Sequence, residues 1–280
     1  MSHGLCWAGR ILTFRGALMA FQLSACADTL FTALPFVERA HKIAAAGYAV
    51  EFWGWHDRDI AALAAAPEVR ISTMIGNVVY RDGGCMVHPD GVDAWIAGVH
   101  DCLPVAQQLD VRQLILISGS LDDAGHGNHL IASHPATRWV TAYKALCQVA
   151  EIAERHDLVY NLEPLNIKRD HPGYSIPYCE DAARLLEQVG SPRIRILLDI
   201  YHTQIQEGNV IETIRNHADL IGYVHVADVP GRHEPGTGEI DYRRVAAALH
   251  EIGYTGAVGL EAYPADTDEK AMAAFGDIFG

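Results

Sequence analysis

Short runs rich in β-branched and aliphatic residues alternate with longer amphipathic segments along almost the whole chain. The short runs are typical of β-strands, and the longer segments have the apolar periodicity of helices that bury one face. The pattern predicts eight strands, at residues 20–25, 48–53, 70–76, 112–118, 158–163, 194–199, 221–226 and 256–261. It predicts a helix after each strand, at residues 33–46, 57–66, 89–109, 137–156, 177–189, 209–217, 241–252 and 267–278. Pro89, Asp241 and Thr267 are residue types that favour helix starts.

Eight strand–helix units of this size predict an α/β fold with a parallel sheet, a single (β/α)8 TIM barrel. Segments 114–117 (LILI) and 194–198 (IRILL) are apolar enough for strands buried on both faces, as parallel strands are. A doubly wound open sheet is the alternative, but no glycine-rich phosphate-binding fingerprint follows an early strand. We expect residues 19–280 to form the barrel and residues 1–18 to be an N-terminal extension outside its core.

Composition narrows the partners that the protein can have. The chain has 280 residues, of which 50% are hydrophobic and 20% charged, a balance typical of a packed globular protein. Lys and Arg number 21 against 35 Asp and Glu, and the net charge of −14 repels nucleic-acid phosphates and anionic lipid. No apolar run is long enough to span a membrane, and the six cysteines include no C-x-x-C pair. We expect a cytoplasmic protein with a small-molecule partner and no nucleic-acid or membrane partner.

Four consecutive predicted strands end in an ionisable residue, and these residues are Glu163, Asp199, His225 and Glu261. In a barrel the carboxyl ends of the strands form one rim, so the four side chains are expected to converge there. Three buried carboxylates repel one another, and a divalent cation removes that repulsion. Oxygen ligands with one nitrogen suit Mn²⁺, Mg²⁺ or Co²⁺, and Zn²⁺ is also compatible. The sequence therefore predicts one divalent-metal site at this rim.

Four motifs identify a known family. Residues 161–166 (NLEPLN), 172–174 (PGY), 199–208 (DIYHTQIQEG) and 230–240 (PGRHEPGTGEI) resemble the hydroxypyruvate isomerase family. That family lies within the xylose isomerase-like superfamily of sugar isomerase and epimerase barrels. The resemblance runs from about Phe21 to Pro264, and it is looser in the N-terminal half.

The resemblance implies a metal site and a class of reaction. It implies a divalent metal held by Glu163, Asp199, His225 and Glu261, with the two glutamates also acting as the acid/base pair. The expected reaction is isomerisation of a small hydroxy-carbonyl compound, a hydroxypyruvate-like keto acid or keto-sugar. Proton transfer between carbons beside a carbonyl passes through an enediolate, whose negative charge a metal stabilises. One glutamate is expected to remove the proton and the other to return it.

Two departures from the family leave the substrate open. Hydroxypyruvate and oxo-tetronate isomerases carry Gln where this chain has His225, and His where it has Tyr223. A His at the third metal position is similar to ketose 3-epimerases and inosose isomerases of the same superfamily. The segment 76–88 also lacks the usual His-Asn-Leu-Pro of the family. A ketose 3-epimerase or inosose isomerase is therefore the alternative function.

Two other classes of function are weighed on the same fold. An abasic-site nuclease would use several metal ions and a basic groove for DNA, and the net charge of −14 argues against such a groove. A non-catalytic sugar-binding or partner subunit would have no need of both glutamates. Assembly into a homo-oligomer is left open by the sequence.

Two residues near the rim are expected to bind substrate. His202 lies three residues beyond Asp199, and Arg232 lies in a Gly- and Pro-rich loop where its guanidinium can bind a carboxylate or two hydroxyl groups. The aromatic residues Phe52, Trp53 and Trp55 are expected to line the pocket or an interface. His126, His129 and His134 are irregularly spaced, which favours a solvated loop over a second metal site.

Overall fold

The computed structural model describes residues 20–77, 84–128 and 133–280. These residues form eight strands, β1 (Gln22–Cys26), β2 (Ala49–Phe52), β3 (Ile71–Ile75), β4 (Gln113–Leu116), β5 (Val159–Leu162), β6 (Ile194–Asp199), β7 (Ile221–Val226) and β8 (Ala257–Leu260). They also form nine helices, α1 (Phe36–Ala45), α2 (Ile60–Ala64), α3 (Pro89–Gln108), α4 (Pro135–His156), α5 (Cys179–Val189), α6 (Ile200–Gln206), α7 (Val210–Asn216), α8 (Tyr242–Glu251) and α9 (Asp268–Phe279).

The strands form a closed barrel in chain order, with β1 paired to β8, and every pair is parallel. The prediction of a (β/α)8 barrel is therefore confirmed. The register places Asp199 of β6 opposite His225 of β7, and His225 opposite Gly259 of β8. Two of the four predicted metal ligands are thus direct neighbours in the sheet, at the carboxyl end where such barrels carry their sites.

Strand alternation decides which side chains face the barrel interior. On β4, Leu114 and Leu116 pack in the core between the sheet and the helices, whereas Ile115 packs in a second, interior cluster with Leu197 and Tyr223. Successive strand residues point to opposite faces, so every second residue of a strand lines the interior. The interior row of each of the last four strands ends in one of the ionisable residues.

Local sequence explains most helix starts. Asp241 and Thr267 cap α8 and α9 by accepting hydrogen bonds from the backbone N–H groups of Arg244 and Lys270 at 3.2 and 3.3 Å. Pro89 occupies the first turn of α3, as expected.

The sequence pattern misses α6, which follows β6 without a loop. The carboxylate of Asp199 accepts a hydrogen bond from the backbone N–H of His202 at 2.9 Å, so the last residue of the strand is also the N-cap of this helix. A helix of seven residues is too short to show the periodicity on which the sequence prediction depends.

Residues 1–18, predicted to be an extension, lie outside the described residues. Within the described ranges, no helix combines the length and the apolar composition needed to cross a membrane.

Candidate active site

The four predicted metal ligands come together at the carboxyl end of the barrel. Glu163, Asp199, His225 and Glu261 are all buried, and each contributes one ligand atom to a group in which all such atoms lie within 4.8 Å of one another. Among residues 20–77, 84–128 and 133–280, this is the only group of three or more His, Cys, Asp or Glu side chains close enough to hold a metal ion. The side chains converge because alternate strand residues face the barrel interior and because all four residues stand at the carboxyl ends of their strands.

The carboxylates of the group differ in their tendency to ionise. Burial, reinforced by the charge of Glu261, raises the pKa of Asp199 to about 7. Burial also raises the pKa of Glu163, although His225 opposes this shift. For Glu261 burial is outweighed by Arg232 and His225, and by hydrogen bonds from Trp53 and Arg232, so its pKa is lowered. The site therefore contains one carboxylate that stays ionised and two that resist ionisation in the absence of further positive charge.

His225 lies between the ligand group and a second buried carboxylate. Its Nδ1 is 3.6 Å from Glu163 Oε1 and 3.5 Å from Glu261 Oε2, whereas its Nε2 is 3.3 Å from Glu51 Oε1. The other oxygen of Glu51 accepts a hydrogen bond of 2.5 Å from the hydroxyl of Tyr223. Burial opposes protonation of His225, but Glu51 and Glu261 outweigh it and raise the pKa of the ring.

Arg232 reaches into the same group from the loop that follows β7. One guanidinium nitrogen is 2.6 Å from Glu261 Oε2 and 4.0 Å from Asp199 Oδ2, and the group lies over the ring of Tyr201, 5.1 Å from its centroid. Arg232 has a φ of 57°, in the left-handed region that a residue with a Cβ enters at a cost of about 1–2 kcal/mol. Strained backbone of this kind persists where the surroundings hold it and is common at functional sites.

Asp228 holds that loop in shape. One of its carboxylate oxygens accepts from the backbone N–H groups of Val229 and Ile240 at 2.9 and 3.0 Å, and the other from Gly236 and Gly238 at 3.0 and 2.9 Å. The side chain is completely buried. A single carboxylate thus satisfies four backbone donors of the loop that presents Arg232.

His202 is buried against the same group from α6. Its Nε2 lies 3.7 Å from Asp199 Oδ2, and its Nδ1 lies 2.7 Å from the side-chain nitrogen of Asn166, which follows β5. Burial, with a contribution from the charge of Arg232, lowers the pKa of His202 well below its usual value. The ring is therefore neutral at physiological pH.

These groups line a cavity of about 570 Å³ that opens at the carboxyl end of the barrel. Glu163, His202, Arg232 and Glu261 form part of its wall, together with Trp53, His126, His171, Tyr201 and Tyr263. Ile75, Ile115, Ile117 and Leu165 form an apolar part of the wall. The cavity is large enough for a small carbohydrate or keto acid.

The prediction that three aromatic residues line the pocket or an interface is correct for one of them. Trp53 lines the cavity and donates from its indole Nε1 to Glu261 Oε1 at 2.5 Å. Phe52 is wrongly predicted, because it points to the outer face of β2 and packs edge-on against Phe36 in the core, with 0% exposure. Trp55 is partly buried against the same core. Because successive strand residues point to opposite faces, Trp53 faces the cavity whereas Phe52 faces the core between the sheet and the helices.

The three histidines after β4 do not form a metal centre in the part that can be described. His126 lies in the cavity wall, and His134 caps α4 by accepting from the backbone N–H of Ala136 at 3.2 Å. His129 lies outside the described residues, as does the part of the segment 76–88 that spans residues 78–83.

Sequence reasoning missed Glu51, Asn166 and Asp228. Glu51 is the one acidic residue in the buried strand AVEF, and an acid in an otherwise apolar strand is the pattern that could have revealed it. Asn166 and Asp228 stand in recognised motifs or beside them, but their hydrogen bonds run to the backbone of loops, which local periodicity does not describe.

The donor set fits a divalent cation. Three buried carboxylates converge, and Nδ1 of His225, which faces Glu163 and Glu261, is buried without a hydrogen-bond partner among the described residues. Buried polar atoms are almost always partnered, so an unpartnered imidazole nitrogen facing carboxylates is what a metal ligand presents. Oxygen-rich ligands with one imidazole suit Mn²⁺, Mg²⁺ and Co²⁺, with Zn²⁺ also compatible.

A closed barrel of eight parallel strands, with a buried cluster of carboxylates and imidazoles at the carboxyl ends of the strands, defines the class of a (β/α)8-barrel enzyme. The family model for the xylose isomerase-like TIM barrel matches residues 37–276. The chain belongs to that family, and the resemblance seen in its motifs is confirmed.

Three known proteins show what the chain is similar to. Hydroxypyruvate isomerase of Escherichia coli (strain K12) is 29% identical over 261 residues, which cover 90% of this chain and 96% of that protein. D-psicose 3-epimerase of Enterocloster bolteae is 28% identical over 179 residues, which cover 64% of this chain and 57% of that protein. A solved structure described as AP endonuclease, family 2, from Brucella melitensis has a TM-score of 0.81 and 27% identity, covering 94% of this chain and 100% of that one.

These curated relatives are an isomerase and an epimerase, and the chain is an isomerase or epimerase with a small-molecule substrate. The AP endonuclease structure shares the barrel over nearly its whole length.

Proposed function

We propose that this enzyme is a metal-dependent isomerase of a small hydroxy-carbonyl compound, such as hydroxypyruvate or a related keto-sugar or sugar acid. One observation carries the proposal: Glu163 and Glu261 directly follow two different strands, β5 and β8, belong to one compact group of ligand atoms, and both line the cavity. Two carboxylates on separate strands provide the two positions that moving a proton between neighbouring carbons requires.

The two glutamates divide the proton transfer between them. Glu261 accepts the substrate proton as the base, because Arg232 and His225 favour its ionised form, and Glu163 returns a proton to the substrate. In the opposite direction of the reaction the roles exchange. The intermediate between the two proton transfers is an enediolate.

Arg232 and His202 bind and orient the substrate beside the glutamates. Both present donors near Asp199 Oδ2, the guanidinium at 4.0 Å and the His202 Nε2 at 3.7 Å. Nitrogen donors there hold a substrate oxygen and stabilise negative charge as it develops on that oxygen. Trp53 donates to Glu261 Oε1, which fixes the carboxylate and its orientation toward the cavity.

The metal is held in this proposal by Glu163, Asp199, His225 and Glu261. When bound, it supplies positive charge that favours the ionised carboxylates and stabilises the negative charge of the enediolate.

His225 favours a ketose 3-epimerase or inosose isomerase as the second candidate. The imidazole at this position and the hydroxyl of Tyr223 beneath it are the departures from the hydroxypyruvate isomerase pattern. A 3-epimerase would use the same pair of glutamates to remove and return a proton at one carbon, from opposite faces.

The experiment is a substrate panel run on purified enzyme. Hydroxypyruvate, erythrulose, oxo-tetronates, ketohexoses and inososes are incubated with Mn²⁺, Mg²⁺ or Co²⁺, and products are identified by NMR. A duplex with one abasic site is included because of the barrel shared with the AP endonuclease. We expect turnover of a short hydroxy-carbonyl compound and no DNA cleavage.

Metal content is measured in the same preparation before and after chelation. The expected result is one divalent ion per chain, with loss of activity on its removal and recovery on its return. Full activity in metal-free enzyme, or cleavage of the abasic duplex without turnover of any sugar or keto acid, would overturn the proposal.

A further inference from the structure

The buried side chain of Asn166 has a single orientation that satisfies its neighbours. Its Oδ1 accepts from the backbone N–H groups of Arg169 and Asp170 at 3.0 and 3.1 Å. These two donors require the oxygen on that side of the amide, because an NH₂ group would face them with no acceptor. The Nδ2 therefore points the other way, where it lies 2.7 Å from Asp170 Oδ2 and 2.7 Å from His202 Nδ1.

This orientation determines the state of the His202 ring. The two hydrogens of the Asn166 amide are donated to Asp170 and to His202, so Nδ1 of His202 must be an acceptor and carries no proton. The backbone N–H of Asn166 also faces Nδ1, at 3.4 Å. A neutral imidazole with Nδ1 as acceptor has its hydrogen on Nε2.

Among the residues that the structure describes, none accepts the Nε2 hydrogen of His202. The atom is buried and unpartnered, and its distance of 3.7 Å from Asp199 Oδ2 is too long for a hydrogen bond. The residue is 1% exposed overall and forms part of the cavity wall. A buried donor left unpaired in the wall of a substrate cavity is free for an acceptor atom of the substrate.

We propose that Asn166 is a positioning residue that holds His202 as the Nε2–H tautomer, so that the ring donates a hydrogen bond to the substrate oxygen on which the enediolate charge develops. The proposal rests on the isomerase or epimerase function proposed above. Asn166 acts through His202 and does not itself touch the reacting atoms. With the opposite tautomer, the ring would present a lone pair to that oxygen and would repel it.

Asn166→Asp reverses the direction of the hydrogen bond to the His202 ring while the size of the side chain at position 166 is unchanged. One carboxylate oxygen can still accept from the backbone of residues 169 and 170, but the other now accepts a proton from Nδ1 of His202. The new charge also faces Asp170, so the substitution is made both alone and together with Asp170→Asn, which restores a donor opposite that residue. The effect of Asn166→Asp is then compared in the two backgrounds.

The first readout is the tautomer itself. Protein with ¹⁵N-labelled histidine and Mg²⁺ is examined by long-range ¹H–¹⁵N NMR, and the resonances of His202 are assigned from their loss in His202→Gln. We expect the proton on Nε2 in the wild type and in Asp170→Asn, and on Nδ1 in both proteins with Asn166→Asp. Spectra and rates are recorded at one pH, chosen so that the NMR shows a neutral ring in every variant.

The second readout is the division of the effect between kcat and KM for the compound that the substrate panel identifies. Loss of one donor to a developing oxyanion lowers kcat by about 10²-fold, and we expect this loss from Asn166→Asp in both backgrounds with a smaller change in KM. A wild-type proton on Nδ1, or an exchanged tautomer with unchanged kcat, overturns the proposal. If no compound is turned over, the proposed function fails, whereas the NMR spectrum still decides the tautomer.

Discussion

Oε1 of Glu51 lies 3.3 Å from Nε2 of His225, so a strand-2 carboxylate reaches across the barrel interior to a strand-7 imidazole. The second oxygen of Glu51 is held by the hydroxyl of Tyr223, which also lies 2.9 Å from Ser72 Oγ. Carboxylates placed behind a histidine ligand orient the ring and increase the basicity of its other nitrogen. Here that other nitrogen is Nδ1, the one that faces Glu163 and Glu261.

Glu51→Gln is expected to weaken metal binding by about 10–100-fold, the usual effect of removing such an outer partner. The amide keeps the shape of the side chain but removes the charge behind His225. Affinity is measured by calorimetric titration with Mn²⁺, with Glu68→Gln as the matched control at an exposed site. An unchanged affinity in a folded Glu51→Gln protein would show that Glu51 does not support the ligand.

Gly259→Ala is expected to destabilise the protein by about 1–3 kcal/mol through overpacking. A Cβ at Gly259 would lie 2.2 Å from Oε2 and 2.6 Å from Oε1 of Glu51, so the carboxylate must move. Gly54→Ala is the control, because a Cβ at Gly54 would meet nothing within 4 Å. Denaturant unfolding of both variants checks the prediction, and equal stability of the two would contradict it.

Glu163→Gln and Glu261→Gln are each expected to reduce kcat nearly to background, because each removes one member of the proton-transfer pair. Arg232→Ala is expected to act more through KM, since the guanidinium binds and orients. Steady-state kinetics and metal analysis are made on the same preparations, which separates loss of metal from loss of acid/base function. Near wild-type turnover by metal-loaded Glu261→Gln would exclude the two-carboxylate mechanism.

Turnover in D₂O is expected to place deuterium in the product at the carbon that receives the proton. A proton held on Glu163 or Glu261 at the cavity wall has time to exchange with water before it returns, whereas a hydride shift keeps the hydrogen of the substrate. NMR of the product after few and after many turnovers measures the incorporation. Complete retention of the substrate hydrogen after many turnovers would reject the enediolate route.

The barrel and the convergence of the four candidate ligands could be predicted from the sequence because both depend on local pattern. Each strand shows its own apolar run, and each ligand stands where a run turns polar, so Glu163, Asp199, His225 and Glu261 could be aligned at one rim before any distance was known. The loop residue Arg232 was found through its motif, and the structure places its guanidinium 2.6 Å from Glu261.

Contacts between distant parts of the chain could not be found in the same way. Glu51 meets Tyr223 and His225 only after the barrel closes, and nothing in the strand AVEF indicates which residues it will face. The misassignment of Phe52 has a similar origin, because three aromatic residues near one strand end do not reveal which face each occupies until the parity of the strand is fixed. Asn166 illustrates the same limit, since its role depends on the position of His202 on a helix that begins without a loop.

The dependence of the Arg232 loop on Asp228 has a consequence for engineering. The loop closes on a carboxylate of its own first residue, through bonds to the backbone of residues 229, 236, 238 and 240, while the metal-ligand candidates sit on strand ends and beyond this segment. Residues 228–240 therefore form a segment that is held together by hydrogen bonds to its own first residue, Asp228. Exchanging the whole segment between related barrels would change the side chain at position 232, and with it the partner of Glu261, while the four candidate ligand residues keep their identities.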